Sequence, residues 1–480
     1  MNAQTDKPIE TLSFLEGQQS LSLQQLFKRS QHVYAQQRYP SLETRTERIR
    51  TLQQNLLDNK QRLVEALCKD YGHRTEFDSL MADVMPSVQQ AKYTQNKLSK
   101  WMKPEKRHAG LMFTPSSVKV TYQPLGVVGI ISPWNFPIIL AISPTIIALA
   151  AGNTVMIKLS EFTPHTNLAL RSLFKGLEDV VCLIEGGPNV ASEFSALPFD
   201  HLLFTGSTAV GKLVAKAAAE NLTPVTLELG GKSPAIITDK GKLDKAVDAL
   251  LFGKCLNGGQ ICVSPDYVLL PKSLEDAFIE KFSKRYLQSM KKSGELTAII
   301  NQRQWERLQS YLPDAEQKGA QLISLDASLS NADQPYLMQP TLVKNVNDSM
   351  TIMQDEIFGP LLPIVTVDSL SEALDYVNER PRPLALYLFS DDKHEQSQVL
   401  KQTHSGGVAI NDTVIHVALE DAPFGGVGPS GMGHYHGVEG FKTFSKAKTV
   451  MHTPSWLPRS ALLLLHKKFA VSFFSRFFVR

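Results

Sequence analysis

The 480-residue sequence holds only four cysteines, Cys68, Cys182, Cys255 and Cys262. That scarcity excludes a disulfide scaffold and suits a reducing, cytoplasmic compartment, where each thiol is either a small hydrophobe or a nucleophile. No Cys-x-x-Cys pair and no His-Glu-x-x-His run occurs, so the twelve histidines carry no zinc signature and no metal is expected. Charge of one sign is missing as well. Fifty Lys plus Arg against 47 Asp plus Glu leave a net +3, too balanced for a nucleic-acid partner. The segment Met1 to Ser20 is polar, with Asp6 and Glu10, and does not read as a secretory signal. No run reaches the roughly 18 uncharged apolar residues of a membrane span. The nearest, Ala461 to Arg480, is interrupted by His466, Lys467, Lys468 and Arg476. It reads as an apolar, basic tail expected to pack on its own protein or on a second subunit, with peripheral contact at a lipid surface as the alternative.

What is present is a long alternation of helical and strand signals without internal repeats. Ile49, Leu52, Leu56, Leu63, Val64 and Leu67 recur at three- and four-residue spacing between Glu43 and Tyr71, with Gly72 as a stop, and a second periodic stretch runs from Phe77 to Trp101. Val118, Val120 and Tyr122 alternate with Lys119 and Thr121, as in a half-exposed strand. From Gly126 onward short apolar runs (126–131, 154–158, 180–184, 201–204, 225–229, 235–237, 267–270) alternate with helical stretches. That pattern predicts parallel sheets covered on both faces, an α/β fold. A cofactor-type domain is expected over residues 1–227, a second α/β domain over 228–411, and a return segment with the tail over 412–480.

Four local motifs could carry chemistry. Gly258-Gly259-Gln260-Ile261-Cys262 follows a helix and presents Cys262 in a loop with little Cβ crowding, although an arbitrary cysteine is more often a buried hydrophobe. Cys255 sits on the helix proper and reads as packing. Glu228 ends a strand before Gly230 and Gly231, where α/β proteins place ligands, or it is a cap or a partner of Lys232. Asn135 lies in the proline-bracketed turn Pro133-Trp134-Asn135-Phe136-Pro137, able to aim an amide at an oxyanion or simply to make the turn. Gly206-Ser207, before a helix that contains Gly211, offers N–H groups to a phosphate. Its spacing matches neither the dinucleotide fingerprint nor a Walker loop.

Taken together and in order, these pieces resemble the NAD(P)-dependent aldehyde dehydrogenases, from about Glu43 to Val450. Ala151 to Lys158, Phe204 to Ser207, Glu228 to Lys232 and Glu356-Ile357-Phe358-Gly359-Pro360 belong to the match. The late stretch Pro423 to Gly433 is similar to the class 3 branch. The runs Tyr122–Ile131, Ser160–Pro164 and Gly433–Gly437 resemble bacterial coniferyl aldehyde dehydrogenases.

The resemblance implies an aldehyde dehydrogenase-like fold: a Rossmann-type cofactor domain, a catalytic α/β domain and a small oligomerisation β-extension that includes residues 112–123. It implies Cys262 as nucleophile, Asn135 and the Cys262 N–H as oxyanion donors, and Glu228 as the base that hydrolyses a thioester. Lys158 and Glu161 match adenosine-ribose contacts, Gly206, Ser207 and Gly211 the pyrophosphate segment, and Glu356 and Phe358 the nicotinamide end. Glu161 favours NAD, with NADP as the alternative. Ile261 suits an apolar aldehyde or plain packing, and His434 and His436 read as structural. The implied partners are an aldehyde, coniferaldehyde-like before medium- or long-chain aliphatic, and a second copy of the chain. A non-redox thiol hydrolase and a silent paralogue are the remaining alternatives.

Overall fold

The alternating runs fold into two mostly parallel sheets and a small antiparallel one, in a computed structural model that describes residues 21–325 and 335–477. The reading of Met1 to Ser20 therefore lies outside the described residues, as does the end of the tail.

The first sheet has six strands, in the order Gly431–Met432, Val225–Glu228, His201–Thr205, Val127–Ile131, Thr154–Lys158 and Val181–Ile184. All run parallel except the edge strand Gly431–Met432. Val127–Ile131 is the centre from which the chain winds outward, first through 154 and 181, then through 201 and 225. Such a reversal opens a crevice at the carboxyl ends of the strands, the usual ligand position in open α/β sheets. Helix Ile139–Ala151 is apolar on every face and buried from Ala141 to Ala151, as a helix packed between layers must be.

The second sheet has seven strands, ordered Gln321–Ser324, Thr341–Lys344, Leu361–Val367, Tyr267–Pro271, Pro234–Ile237, Ala385–Phe389 and Gly407–Ile410. Glu228 completes a strand of the first sheet, and the second opens only at Pro234. The third sheet joins Glu105–Arg107, Ser117–Pro124 and Ser445–His452, so the return segment pairs with the strand read around Val118 to Tyr122.

Two helical readings need correction. The stretch from Glu43 to Tyr71 is two helices, Leu42–Asp58 and Lys60–Tyr71. Asn59 breaks them: its side-chain amide donates to the Asn55 carbonyl at 2.9 Å, competing with the backbone ladder. The stretch from Phe77 to Trp101 contains a π-helical turn, Leu80–Val84, before Met85–Trp101. Such turns mark sites where a side chain has been re-aimed. Finally, the tail folds as Arg459–Leu465 and Lys467–Phe477; Arg459 ties its start to its own chain, donating to Phe113 O at 2.7 Å and to Ser116 Oγ at 3.0 Å, while its apolar side chains beyond are largely exposed. Leu464, Leu465 and Phe469 are 67%, 78% and 73% exposed. No helix among the described residues is long and apolar enough to cross a membrane.

Candidate active site

The thiol loop is shaped by backbone conformation. Helix Leu243–Cys255 stops, and Asn257, Gly258 and Gly259 follow with φ of 51°, 61° and 72°. Glycine is required at 259, because a Cβ there would lie 2.5 Å from the Gly359 carbonyl oxygen. Gln260 then anchors the loop, donating to Ala298 O at 3.1 Å and accepting from Ile300 N at 3.0 Å. Cys262 emerges half-buried on the wall of a cavity of about 630 Å³. Cys255, half-buried at the helix end, has its thiol pushed up to about 12 by burial.

Asn135 reaches the same cavity from the far side of the first sheet. Its side-chain amide donates to the Gln260 carbonyl at 3.1 Å, linking the oxyanion candidate to the thiol loop. Its own carbonyl is clamped by three donors: Tyr71 Oη at 2.9 Å, Arg74 Nη1 at 3.1 Å and Asn257 Nδ2 at 3.0 Å. Arg74 is fully buried and paired with Asp83 at 2.8 Å. The other Asp83 oxygen accepts from Ile138 N and Ile139 N at 3.1 and 2.9 Å, capping the helix that follows the turn. The π-helical turn is what brings Asp83 into line. Sequence reasoning missed this brace. The one available signal was Asp83 within the periodic stretch Phe77 to Trp101, with Arg74 in the short link before it.

Glu228 ends its strand with the carboxyl buried and both oxygens without a hydrogen-bond partner. Burial raises it well above the usual carboxylate range. Glu356 leans over Gly230, where a Cβ would come within 2.1 Å of Glu356 Oε1. Burial pushes this second acid up to about 7, opposed by a hydrogen bond from the Gly231 backbone. The Cys262 thiol is pushed up to about 12, first by burial and then by the Glu356 and Glu228 charges. Lys232 is no partner of Glu228. It pairs with Asp266 and donates to the Ile352 and Asp355 carbonyls at 2.8 Å. Asp266 in turn accepts from Ile357 N at 2.8 Å, so the pair holds the loop that carries Glu356.

The opposite end of the cavity suits a dinucleotide. Lys158, buried at a strand end, pairs with Glu161 at 2.9 Å. Gly206 and Ser207 line the wall where helix Thr208–Ala219 begins, with Ser207 Oγ accepting from Val210 N at 3.4 Å. The remaining N–H groups of that turn face a crevice able to take phosphate. Gly211 does not line the cavity; it lets the helix approach Leu229, whose side chain a Cβ would meet at 2.7 Å. Phe358 does line it, edge-on to Trp134 at 5.3 Å. Arg303 and Phe162, unnoticed in the sequence, close the mouth with the guanidinium 5.3 Å from the ring centre. Among the described residues no cluster of His, Cys, Asp or Glu could hold a metal ion.

The geometry agrees with the relatives this chain resembles. Residues 5–450 match the model of the aldehyde dehydrogenase family. A probable coniferyl aldehyde dehydrogenase of Pseudomonas aeruginosa is 50% identical, over 92% of this chain and 93% of that protein. A coniferyl aldehyde dehydrogenase of Pseudomonas sp. strain HR199 is 44% identical, over 88% and 89% respectively. Among solved structures, the substrate-bound AldH of Staphylococcus aureus superposes with a TM-score of 0.86 at 36% identity, over 94% of this chain and 99% of that one. Betaine aldehyde dehydrogenase of the same organism, solved with NAD+, gives 0.81 at 26% identity, over 90% of this chain and 89% of that one. Both the ordered motifs and the way they meet around one cavity have the same explanation: this chain belongs to the aldehyde dehydrogenase family.

Proposed function

We propose that the chain oxidises aromatic aldehydes of the coniferaldehyde type to their acids with NAD. The observation that carries this reading is the meeting of a thiol, an amide and a partnerless carboxyl from three distant stretches in one cavity. Cys262 Sγ adds to the carbonyl carbon, and the resulting oxyanion is held by the Asn135 amide and the Cys262 N–H. Losing one such donor costs about 10²–10³ in rate. Glu228, with no competing partner, serves as the base for the thiol proton and later for water. NAD, held by Lys158, Glu161, Gly206 and Ser207 with Glu356 and Phe358 at the nicotinamide end, supplies the hydride acceptor when bound. Once hydride has left, Cys262 carries an acyl thioester, and Glu228 takes a proton from the water that hydrolyses it. The names of the Pseudomonas relatives support the aromatic substrate class; Ile261 is buried in the core of the thiol domain and does not line the cavity.

The same reading makes residues 1–227 the cofactor unit, 228–411 the thiol unit and 412–480 the oligomerisation segment of a homodimer, with the tail at a lipid surface. The carboxylate of Glu161 repels a 2′-phosphate, so NAD is preferred to NADP. Glu161→Gln should narrow the ratio of NAD to NADP efficiency, and an unchanged ratio would place discrimination elsewhere.

Stopped-flow NADH formation tests the chemistry. Cys262→Ala should abolish turnover while NAD still binds; dehydrogenase activity at the parent rate would refute the assignment. Glu228→Gln should give one burst of NADH and then stall. Steady turnover at the parent rate would remove Glu228 from the second half of the reaction.

A further inference from the structure

The mouth of the cavity is spanned by two side chains that approach from different units. Phe162 stands on the link between strand Thr154–Lys158 of the first sheet and helix Pro164–Leu173. That link is held in place: Ser160 Oγ accepts from Phe162 N at 3.3 Å, and Asn167 Nδ2 donates to Ser160 O at 2.8 Å. Arg303 arrives from the other side, on helix Gln302–Gln317, whose Leu308, Tyr311 and Ala315 are buried in the core of the second sheet. Its guanidinium lies over the Phe162 ring, 5.3 Å from the centre, and both side chains line the cavity beside Lys158 and Glu161.

Within the chain alone this cation is poorly accounted for. Arg303 occupies the first turn of its helix, where exposed backbone N–H groups form the positive end of the dipole, and no aspartate or glutamate in that turn offsets it. The carboxylate of Glu161, next to Phe162 in the sequence, is already paired with Lys158 at 2.9 Å. Among the described residues Arg303 is exposed and meets no carboxylate and no acceptor side chain, only the ring. A guanidinium laid on an aromatic face keeps the N–H groups of its edge free, and that planar fork matches phosphate oxygens. Gly206 and Ser207 line the same cavity from the first unit, where helix Thr208–Ala219 begins. The cavity therefore receives a helix N-terminus from each unit, and one of them carries a cation with no anion of its own.

We propose that Arg303, seated on Phe162, is a ligand of the cofactor's pyrophosphate, supplied by the thiol unit to complement the Gly206–Ser207 turn of the cofactor unit. The inference rests on the NAD-dependent reading and deepens it. The guanidinium recognises the dinucleotide by its phosphates and not by its base or its ribose hydroxyls, and Phe162 is a positioning residue that acts only through Arg303.

Calorimetric binding of NAD, NADP, ADP-ribose and adenosine to the full chain tests this assignment. Arg303→Ala should weaken NAD and ADP-ribose by about ten-fold or more and leave adenosine, which has no phosphate, unchanged. Arg303→Lys keeps the charge but not the fork and should recover part of the loss. Phe162→Leu should weaken ADP-ribose about two- to five-fold, and almost no further when added to Arg303→Ala. Salt should reduce the affinity of the parent for ADP-ribose more steeply than that of Arg303→Ala. Equal affinities of the parent and Arg303→Ala for ADP-ribose overturn the proposal. So does a loss that extends equally to adenosine, or one confined to NADP, since the guanidinium then reads the nucleoside or a 2′-phosphate. Arg303 is exposed, so thermal melting should show each variant folded; if the alanine variant is not, Arg303→Gln is judged by the same comparison. Failure of the underlying reading looks different, since then the parent chain binds neither NAD nor ADP-ribose.

Discussion

At the scale of single residues, burial lifts both acids of the site, Glu228 and Glu356, above the usual carboxylate range. Glu356 shows what this does to stability. Its ordinary value of 4.5 is raised to about 7 in the folded chain. The folded state therefore holds a proton that the unfolded state releases, and stability from this group is present below about pH 4.5 and lost as pH rises through 7. At 1.36 kcal/mol per unit the loss is at most about 3.4 kcal/mol, reduced by the water that reaches a half-buried carboxyl. Glu356→Gln cannot ionise, so between pH 5 and 8 its melting temperature should fall less than that of the parent. Parallel pH dependences in the two proteins would contradict the burial argument. The residues at the reacting centre were legible in the sequence because each lies in a short run whose neighbours are unusual: glycines before Cys262, prolines around Asn135, a strand end at Glu228. Arg74 and Asp83 were not, because their part in the site appears only once folding brings them to the Asn135 turn.

At the scale of elements, the strands as far as Tyr267–Pro271 were readable almost to the residue, as in Thr154–Lys158, whereas five later strands of the second sheet, from Gln321–Ser324 to Gly407–Ile410, were not read. Continuous apolar runs of that length fit little else once helical stretches alternate with them. The helices were readable as periodic stretches but not in their breaks at Asn59 and at Leu80–Val84. The first is made by the Asn59 amide competing with the i to i−4 ladder, the second by a change of hydrogen-bond register, and hydrophobic periodicity carries no trace of either. The second break matters for function. It delivers Asp83 to Arg74, and through that buried pair it fixes the carbonyl of Asn135 and the start of helix Ile139–Ala151. Removing one partner of such a pair leaves an uncompensated buried charge, at a cost of about 3–5 kcal/mol. Asp83→Ala should lower unfolding stability in urea by that order and reduce kcat, because the turn that aims the Asn135 amide loses its cap. The double change Arg74→Met with Asp83→Leu should recover much of the stability but not the rate. Equal recovery of both would mean that the brace holds up the core alone.

At the scale of the whole molecule, the parts least explained by packing within one chain are its edges. The antiparallel sheet Glu105–Arg107, Ser117–Pro124 and Ser445–His452 stands apart from both main sheets, with Lys119, Lys446 and Lys448 on its flanks. A second copy completes it in the proposed dimer, and sedimentation should report about twice the 53.2 kDa of one chain. The tail beyond it has a different character. After Glu439 the sequence has lysines and arginines and no aspartate or glutamate. In helix Lys467–Phe477 a repeat of four sets Phe469, Phe473 and Phe477 on one face, with successive ring centres 6.3 and 5.0 Å apart, flanked by Arg476, whose guanidinium lies 5.9 Å from the Phe477 ring centre, and by Lys468. An exposed apolar face beside a basic one is the composition of helices that lie in a lipid headgroup layer, drawn by anionic charge and held by buried rings. A chain ending at Pro458 should remain dimeric and keep its kcat, yet lose its co-sedimentation with phosphatidylglycerol vesicles. The full chain should bind those vesicles more weakly as salt rises, because each basic side chain contributes about 1 kcal/mol that ionic strength screens. If truncation instead converts the dimer to a monomer, the aromatic face belongs to the partner subunit and not to lipid.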